Sequence, residues 1–341
     1  MDSNLALYPV RTQSAGAREA KPMKSATVYS SCALAAAILL CTAPVADATE
    51  EALGRSITGA QITPYVGIIP PTPGWQYSLS YLYYDGNISG SKQVPIAGTT
   101  ALNLHANANL LAATFAYVWN TGPGRWNFAS MFTVPEIYTS AVANLSLGPL
   151  NGRVKSSSTG LYDFYFAPVI ASYHVSEVEH WSLGMYIYAP TGDYKKGQLT
   201  NEGLNVWTFS PAVGYTHLFQ AGTLEMSALA GVDFYTRDNA TNYQNGAVFR
   251  LDGLAMKRFP SGWGLGLAGG WIQQLEDDSG PTADKLNGFV GHSLGLGPAI
   301  SYSKAWSKEN KVALTLRWLK EFDVKNRIEG EPLMLNVSIS L

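Results

Sequence analysis

Few residues in this chain have the types and spacing for acid–base or nucleophilic chemistry. Among the five histidines, His292 stands directly before Ser293, and a serine beside a histidine is the pairing used by hydrolytic nucleophiles. Adjacent residues on a strand point to opposite faces, so this pair cannot form a nucleophile and its base by itself. Neither a G-x-S-x-G elbow nor an H-E-x-x-H motif occurs in the sequence. The sequence therefore predicts no catalytic residues.

Metal and cofactor sites receive similarly weak support. The run Glu276-Asp-Asp-Ser-Gly280 supplies oxygen ligands but lacks the spacing and closing glutamate of an EF-hand loop. It is interpreted as a solvated acidic loop that divalent ions could bridge to lipid headgroups. The glycines of 262–270 alternate with apolar residues as in a strand, unlike a nucleotide-binding loop. We expect no metal and no cofactor.

Charged residues inside alternating segments are the most informative candidates. Each stands at the opposite parity from its apolar neighbours, so all are predicted to point to the non-apolar face. The candidates are Asp163, Glu225, Asp233, Arg250, Asp252, Arg317, Glu321 and Asp323.

The segments that carry these charges alternate with a period of two. Leu224, Met226, Ala228, Ala230, Val232 and Phe234 occupy one face of such a segment, for example, and Glu225, Ser227 and Asp233 the other. After the N-terminal region no apolar run approaches the ~18 residues of a membrane helix. About twelve strands are predicted: 75–86, 102–119, 125–138, 160–175, 181–190, 204–219, 222–236, 246–258, 262–275, 290–304, 311–324 and 330–341.

Composition indicates which side of these strands faces lipid. Charged residues make up only 14% of the chain and aromatics 12%, whereas a soluble protein has about 25% charged residues. The predicted fold is an all-β transmembrane antiparallel barrel with an apolar exterior and a polar lumen. A soluble β-sandwich or lipocalin-like barrel is the alternative, but the small and polar second face would make a poor core.

Connections and aromatic residues favour the membrane barrel. Short turns alternate with mostly longer segments at 87–101, 139–159, 191–203, 237–245 and 276–289, as in outer-membrane barrels. Aromatic residues near strand ends suit the two membrane interfaces: Trp75, Trp119, Trp126, Trp181, Trp207, Tyr215, Trp263, Trp271 and Trp318. An even strand count returns both ends of the barrel to the periplasm. Localisation in the outer membrane of a Gram-negative cell is predicted.

The N-terminal region has the parts of a secretory signal peptide. Basic residues precede the apolar run 32–41, and Ala46-Asp47-Ala48 follows as a cleavage site. Residues 1–48 are therefore predicted to be a leader, with Met23 as a possible true start. A lipoprotein signal at Cys41 is less favoured, because Leu40 precedes it. Both cysteines lie in this leader, so the exported chain has none.

The predicted organisation after the leader is a segment, 49–74, followed by the barrel, 75–341. The part 58–74 either lies in the periplasm or folds into the lumen as a plug. The last residues, 333–341, alternate to the end of the chain and resemble the C-terminal strand by which barrels are recognised by the assembly machinery. Expected partners are outer-membrane lipids and that machinery. The formal net charge of −2 suggests no nucleic acid partner.

Several motifs in one order resemble the family named for the MetA pathway of phenol degradation. They are Gly160-Leu-Tyr-Asp-Phe-Tyr-Phe-Ala-Pro168, Ala189-Pro-Thr-Gly-Asp-Tyr194, Asn205-Val-Trp-Thr-Phe209, Gly231-Val-Asp-Phe-Tyr-Thr236, Gln273-Gln-Leu-Glu-Asp-Asp-Ser-Gly280 and Lys320-Glu-Phe-Asp-Val-Lys-Asn-Arg-Ile-Glu-Gly330. The resemblance implies an outer-membrane protein that helps small hydrophobic or aromatic compounds enter the cell.

Two alternatives to passive uptake remain open from the sequence. One is a structural or adhesive barrel without transport, and the other, less favoured, is a lipid hydrolase borne on a barrel. The eight charges likewise have two possible roles. They form either ion pairs that crosslink the strands, which we favour, or a constriction that selects permeants. Twelve strands lie between a barrel filled by side chains and an open porin, so a narrow or plugged pore is expected.

Overall fold

The structure, a computed structural model, describes residues 54–88, 93–147, 150–305, 307 and 310–340. The predicted leader 1–48 with Met23, Cys32 and Cys41, the first residues of the 49–74 segment, and Leu341 lie outside the described residues.

Strands dominate the described chain. In chain order they are β1 Gly74–Asn87, β2 Gln93–Ile96, β3 Thr99–Val118, β4 Trp126–Leu147, β5 Leu150–Leu161, β6 Tyr165–His174, β7 Glu179–Tyr188, β8 Thr208–Phe219, β9 Leu224–Tyr235, β10 Val248–Arg258, β11 Trp263–Gln274, β12 His292–Ala305, β13 Lys311–Trp318, β14 Lys320–Lys325, β15 Glu329–Gly330 and β16 Leu333–Ser340. A four-residue helix, α1, covers Pro281–Asp284. Among these residues no helix is long and apolar enough to cross a membrane.

The strands close into a single antiparallel barrel. Strand β1 pairs with both β3 and β16, so that Tyr81 stands opposite Leu111 on one side and Leu335 on the other. Counting β5–β6, β13–β14 and β15–β16 as one interrupted strand each, and leaving out the four-residue β2, which pairs only with β3, the barrel has twelve strands. The predicted fold class and strand number are confirmed. Because the barrel is closed, no edge strand leaves its backbone N–H and C=O groups unpaired in lipid.

Burial is reversed relative to a soluble protein. In β9, Met226 is 48% exposed while its neighbour Glu225 is fully buried, and Leu183 and Leu267 elsewhere are more than half exposed. A soluble fold would place these side chains the other way round. The exterior is therefore a lipid-facing surface, and the polar residues line the interior.

The connections define two ends of the barrel. Short turns and both barrel termini, Gly74 and Ser340, lie at one end, called here the inner end. The longer connections lie at the other, the outer end. In outer-membrane barrels the short turns are periplasmic and the long loops extracellular.

Two expected loops are instead largely strand. Residues 139–159 continue β4 and begin β5, which pair from Glu136 with Leu161 to Leu147 with Leu150. Residues 87–101 include β2 and the start of β3. These extensions carry serine, threonine and asparagine on both faces. Backbone pairing beyond the membrane needs no apolar face, so the alternation that marks a membrane strand is missing there.

Three of the barrel strands are interrupted. The β5–β6 strand is broken at residues 162–164, the β15–β16 strand at 331–332, and the β13–β14 strand at the fully buried Leu319. The backbone N–H of Leu319 donates to the carbonyl of Pro332 at 3.0 Å, joining two of these breaks. Beyond this point Asp323 has a φ of 50° and an exposed side chain. The parity continues through the break, since Arg317, Leu319 and Glu321 are all buried, and it ends at this left-handed residue.

Candidate functional site

Residues 54–73, called here the lumen segment, lie against the inward face of the barrel. Arg55 forms a buried ion pair with Asp163 at the break between β5 and β6. Its guanidinium also donates to Thr208 Oγ1 at 3.0 Å and to the carbonyl of Val206 at 2.7 Å. Both charged side chains are almost fully buried. A buried charge is tolerated only when paired and hydrogen-bonded in this way.

The next residue joins a second charge cluster. Ser56 Oγ donates to Asp233 at 2.5 Å, and Ser210 Oγ donates to the other carboxylate oxygen of Asp233 at 2.5 Å. Arg250 Nε lies 3.4 Å from Asp233, and its Nη2 donates to Ser210 at 2.9 Å. Arg327 donates to the carbonyl of Ser56 at 2.6 Å. The segment is thus tied to strands β8, β9 and β10 at one level.

The segment next contacts the part of the wall that lies beyond β11. Thr58 Oγ1 donates to Glu321 at 2.5 Å and lies 2.8 Å from Ser293 Oγ. The second oxygen of Glu321 accepts the Tyr84 hydroxyl at 2.6 Å. A threonine hydroxyl has one proton, so Ser293 is the donor to Thr58. These bonds attach the segment to β12 and β14.

Backbone groups of the segment bond the central charges. Asp252 accepts the N–H of Gly59 at 3.1 Å and of Gln61 at 3.0 Å. Arg317 donates to the carbonyls of Gly59 at 2.8 Å and Ala60 at 3.3 Å. An acid and a base thus pair with the donors and acceptors of one short stretch of chain.

Near the inner end a third charge cluster holds the segment. Glu225 accepts the backbone N–H of Tyr65 at 2.5 Å and pairs with Arg258 at 2.6 Å. The Arg258 guanidinium lies 4.3 Å from the centre of the Tyr65 ring, within the range of a cation–π contact. Burial raises the pKa of the Tyr65 phenol to about 12, Arg258 opposing and Glu225 adding to the shift. The phenol therefore stays neutral at physiological pH.

These contacts show the path of the segment. Arg55 bonds Thr208 at the start of β8, and the N–H of Gly67 bonds Thr216 at 3.0 Å near its end. Farther along, Asn127 at the inner end of β4 donates to the carbonyl of Ile69 at 3.0 Å. The segment therefore runs through the lumen from its outer half to its inner end, where β1 begins.

Small residues allow the close approach. A Cβ atom on Gly214 of β8 would lie 2.9 Å from the carbonyl oxygen of Val66, and one on Gly67 would lie 2.7 Å from the carbonyl oxygen of His180. Both distances are shorter than real Cβ contacts. The barrel wall and the lumen segment therefore pack with their backbones in direct contact at these two glycines.

The structure buries seven of the eight candidate charges: Asp163, Glu225, Asp233, Arg250, Asp252, Arg317 and Glu321 are each at most 4% exposed. Every one bonds the lumen segment directly except Arg250, which acts through Asp233. Asp323 is not part of this set. Its side chain is 70% exposed and lies 3.6 Å from His292 Nε2.

Sequence reasoning missed Arg55, Ser56 and Thr58, which complete the clusters, and Arg258 and Arg327 on the wall. The run of residues around Ser56 and Thr58 has no periodicity to indicate burial. Arg327 follows the strand β14, where alternation no longer applies. Only Arg258, at the same parity as Arg250 and Asp252, could have been assigned from the pattern that identified the others.

The residues weighed for hydrolysis or metal binding are engaged elsewhere. Ser293 is fully buried and points to Thr58, whereas His292 is partly exposed and lies near Asp323. Asp278 of the acidic loop accepts bonds from Tyr243, Gly246 and Gln274. Within the described ranges no group of three or more His, Asp or Glu side chains could hold a metal ion.

An apolar cluster also lies toward the outer end of the barrel. Its residues, called here the outer cluster, include Tyr84, Ile88, Val94, Ile96, Ala97, Ala101, Leu104, Ala106, Ala108, Ala141, Ala143, Leu199, Phe289 and Ile328. The turn between β2 and β3 folds over this cluster: the carbonyl of Ala97 accepts the N–H of Gly197 at 2.9 Å, and that of Gly98 accepts Thr282 Oγ1 at 3.4 Å. Ile57 of the lumen segment packs beneath it.

A closed twelve-stranded barrel with an apolar exterior and a polar interior is an outer-membrane β-barrel. The chain belongs to the family described as "Putative MetA-pathway of phenol degradation", whose profile matches residues 87–337. The resemblance drawn from the sequence motifs is thereby confirmed.

Two solved structures are similar to this chain to different degrees. An outer membrane channel from Pseudomonas putida F1 has a TM-score of 0.64 at 13% identity, covering 82% of this chain and 99% of that one. A FadL homologue from Pseudomonas aeruginosa has a TM-score of 0.43 at 10% identity, covering 86% and 98%. No curated protein sequence matches this chain.

Proposed function

We propose that this barrel lets small hydrophobic or aromatic compounds cross the outer membrane passively, and that it is not an enzyme. The observation that carries the proposal is the filled lumen. A segment hydrogen-bonded along its length occupies the interior, with an apolar cluster above it. Such an interior leaves no wide aqueous path for a general porin, and the apolar side chains of its outer part suit small hydrophobic solutes.

The family and the fold support the same function. The family description refers to phenol degradation, and the similar structure from Pseudomonas putida is described as an outer membrane channel. A purely structural or adhesive barrel would have no need for an apolar cluster folded inward at the outer mouth, because adhesive contacts are made by loops that project outward.

We assign the seven buried charges a structural role, which is to hold the lumen segment. Each acid accepts hydrogen bonds from the segment or from a residue that bonds it, and a charge engaged in this way is not free to select solutes. Arg250→Ala should therefore lower the unfolding temperature of the barrel and leave the preference among solutes unchanged. Arg317→Ala should behave alike. A change in solute preference at an unchanged unfolding temperature would assign these charges to a selectivity filter.

The test of the function is permeation. Barrel purified and reconstituted in liposomes should raise the flux of phenol well above that of empty liposomes, and should raise the flux of sugars of similar size much less. A matched control is barrel denatured by heat before reconstitution, which should add nothing. Phenol flux equal to that of empty liposomes would refute the proposal. Hydrolysis of the liposome lipid that is lost in Ser293→Ala would establish an enzyme instead.

Two partners complete the proposal. Exposed apolar side chains such as Leu183, Leu265 and Leu296 would contact outer-membrane lipids. The alternating strand β16 would be recognised by the barrel-assembly machinery, and it closes the barrel by pairing with both β1 and β13.

A further inference from the structure

A small cavity lies within the outer cluster. Its volume is about 50 Å³. Leu104 and Ala106 of β3, Ala141 of β4, Ile328 and the connection between β7 and β8 at Leu199 form its apolar walls. All five residues are at most 8% exposed. The cavity is therefore bounded by the barrel wall and by one non-strand connection, and it is partly open.

A single unpaired hydrogen-bond donor lies at this cavity. Asn201 lines it and is 6% exposed. Its Oδ1 accepts the backbone N–H of Lys195 at 2.8 Å, which fixes the orientation of the amide. Its Nδ2 is buried and has no partner among the described residues. The neighbouring Thr200 hydroxyl, in contrast, is paired with Ser156 at 2.7 Å.

A buried donor without a partner is costly and rare in folded proteins, so its presence calls for an explanation. An apolar pocket with one or a few convergent polar groups is the usual form of a small-molecule site. A sugar would leave most of its hydroxyl groups unpaired against these walls. A pure hydrocarbon would leave the Asn201 amide unpaired.

We propose that this cavity binds a small aromatic molecule bearing one hydrogen-bond-accepting oxygen, with Asn201 Nδ2 as the donor to that oxygen. The inference deepens the proposed function and rests on it, since it names the class of solute that the barrel takes up. The outer cluster that contains the site packs against Ile57 of the lumen segment, so a solute bound there lies close to that segment.

The volume requires one movement. An engineered apolar cavity of about 150 Å³ binds benzene, and the cavity here is smaller. The ring enters when residues 199–201 shift outward, since these belong to a connection and not to a barrel strand. Leu199→Ala should therefore enlarge the site and increase its affinity for aromatic solutes. Leu286→Ala is the matched control, because Leu286 packs against the outer cluster without lining the cavity.

The donor is tested with two probes of nearly equal shape. Anisole has an ether oxygen that can only accept, and toluene has none. With barrel in nanodiscs, and binding to empty nanodiscs subtracted, equilibrium dialysis should show anisole bound about fivefold more tightly than toluene, the effect of one neutral hydrogen bond. Asn201→Asp keeps the acceptor for Lys195 and removes the donor. It should abolish the preference and leave toluene binding unchanged.

Asn201→Leu, which adds no charge, should also abolish the preference. Equal affinities for anisole and toluene in the unaltered barrel, or a preference that survives both substitutions, would overturn the site. Liposome flux of phenol, measured in parallel, separates the two proposals. Normal flux without Asn201-dependent binding refutes the site and leaves the function standing. Asn201-dependent anisole binding with phenol flux equal to that of empty liposomes refutes the function and leaves the site standing.

Discussion

A Cβ atom on Gly270 would overlap the backbone nitrogen of Gly59 and would lie 2.8 Å from Asp252 Oδ1, the acceptor of that same N–H group. Strand β11 thus presents no side chain where the lumen segment passes, and the neighbouring strand β10 presents the acceptor. Both features concern the N–H group of Gly59, so the shape of the wall and its hydrogen-bond acceptor match the lumen segment at this residue.

Gly270→Ala should destabilise the barrel by displacing the lumen segment. Overpacking a well-packed interior costs about 1–3 kcal/mol, and the Gly59–Asp252 bond would be disturbed as well. The measurement is the urea midpoint for unfolding from lipid vesicles. Gly253→Ala on β10 is the matched control, since a Cβ there meets only one atom, at 4.0 Å. Equal urea midpoints for Gly270→Ala and Gly253→Ala would show that the lumen segment does not require a glycine at position 270.

The Arg55–Asp163 pair allows a double-mutant cycle. Asp163 also accepts the N–H groups of Gly192 at 2.9 Å and Leu204 at 3.0 Å. Arg55→Ala therefore leaves a carboxylate with two donors, whereas Asp163→Ala strands a buried guanidinium and two N–H groups. Breaking a buried pair costs about 3–5 kcal/mol.

We accordingly expect the larger loss of unfolding free energy for Asp163→Ala, and a double variant that loses less than the sum of the single variants. Strict additivity in the same urea titrations would show that the two side chains do not interact in the membrane.

A disulfide between positions 58 and 293 would fix the lumen segment to the wall reversibly. The hydroxyl oxygens of Thr58 and Ser293 are 2.8 Å apart, and residues 49–341 contain no cysteine, so Thr58→Cys with Ser293→Cys introduces a single cysteine pair. If solutes pass when the segment shifts, oxidation should lower phenol flux in liposomes several-fold and reduction should restore it. Thr58→Cys alone, under the same oxidant, is the control. Identical flux in both redox states, with the disulfide shown by mass spectrometry, would mean that solutes pass beside a fixed segment.

The sequence predicts the barrel better than it predicts the contents of the barrel. Alternation is a local property, so Glu225, Asp233 and Arg250 could be assigned to the inward face without knowing the fold. Thr58 bonds Glu321, which is 263 positions away, and no local pattern marks either residue as the partner of the other. Whether the segment lay in the periplasm or in the lumen therefore stayed open.

The departures from the sequence reasoning have one physical origin. Alternation reports the environment of the two faces of a strand, and that environment changes where the chain leaves the membrane. The extended hairpin of β4 and β5 lacks an apolar face, and Asp323 follows a break and adopts a positive φ. Both lie toward the outer end of their strands.

Deletion of residues 333–341 should prevent assembly. Strand β16 supplies the pairing partners of β1, from Gln76 to Tyr83, and of β13, from Lys311 to Trp318. Without it two edges would face lipid with unpaired N–H and C=O groups. We expect loss of heat-modifiable gel mobility and of outer-membrane recovery. A second variant, in which β16 is replaced by another alternating strand of equal length, distinguishes strand pairing from recognition by the assembly machinery. If this variant inserts into vesicles but not into the outer membrane of cells, the sequence of β16 is a signal that the machinery reads. A deletion variant that inserts normally would contradict closure by β16.

Deletion of residues 54–73 should convert the barrel into an open pore with little preference between cations and anions. The wall would keep five acids, Asp163, Glu225, Asp233, Asp252 and Glu321, and five bases, Arg250, Arg258, Lys311, Arg317 and Arg327, while Arg55 leaves with the segment. Water would replace the lost hydrogen bonds, and the balanced charges would favour neither sign of ion. In planar bilayers with a KCl gradient we expect a larger conductance than for the full barrel and a reversal potential near zero. A scrambled segment of the same length and composition, which retains its atoms but not its bonding partners, is the control and should give an unstable, noisy conductance. A deletion variant with the conductance of the full barrel would show that the lumen segment does not close the pore.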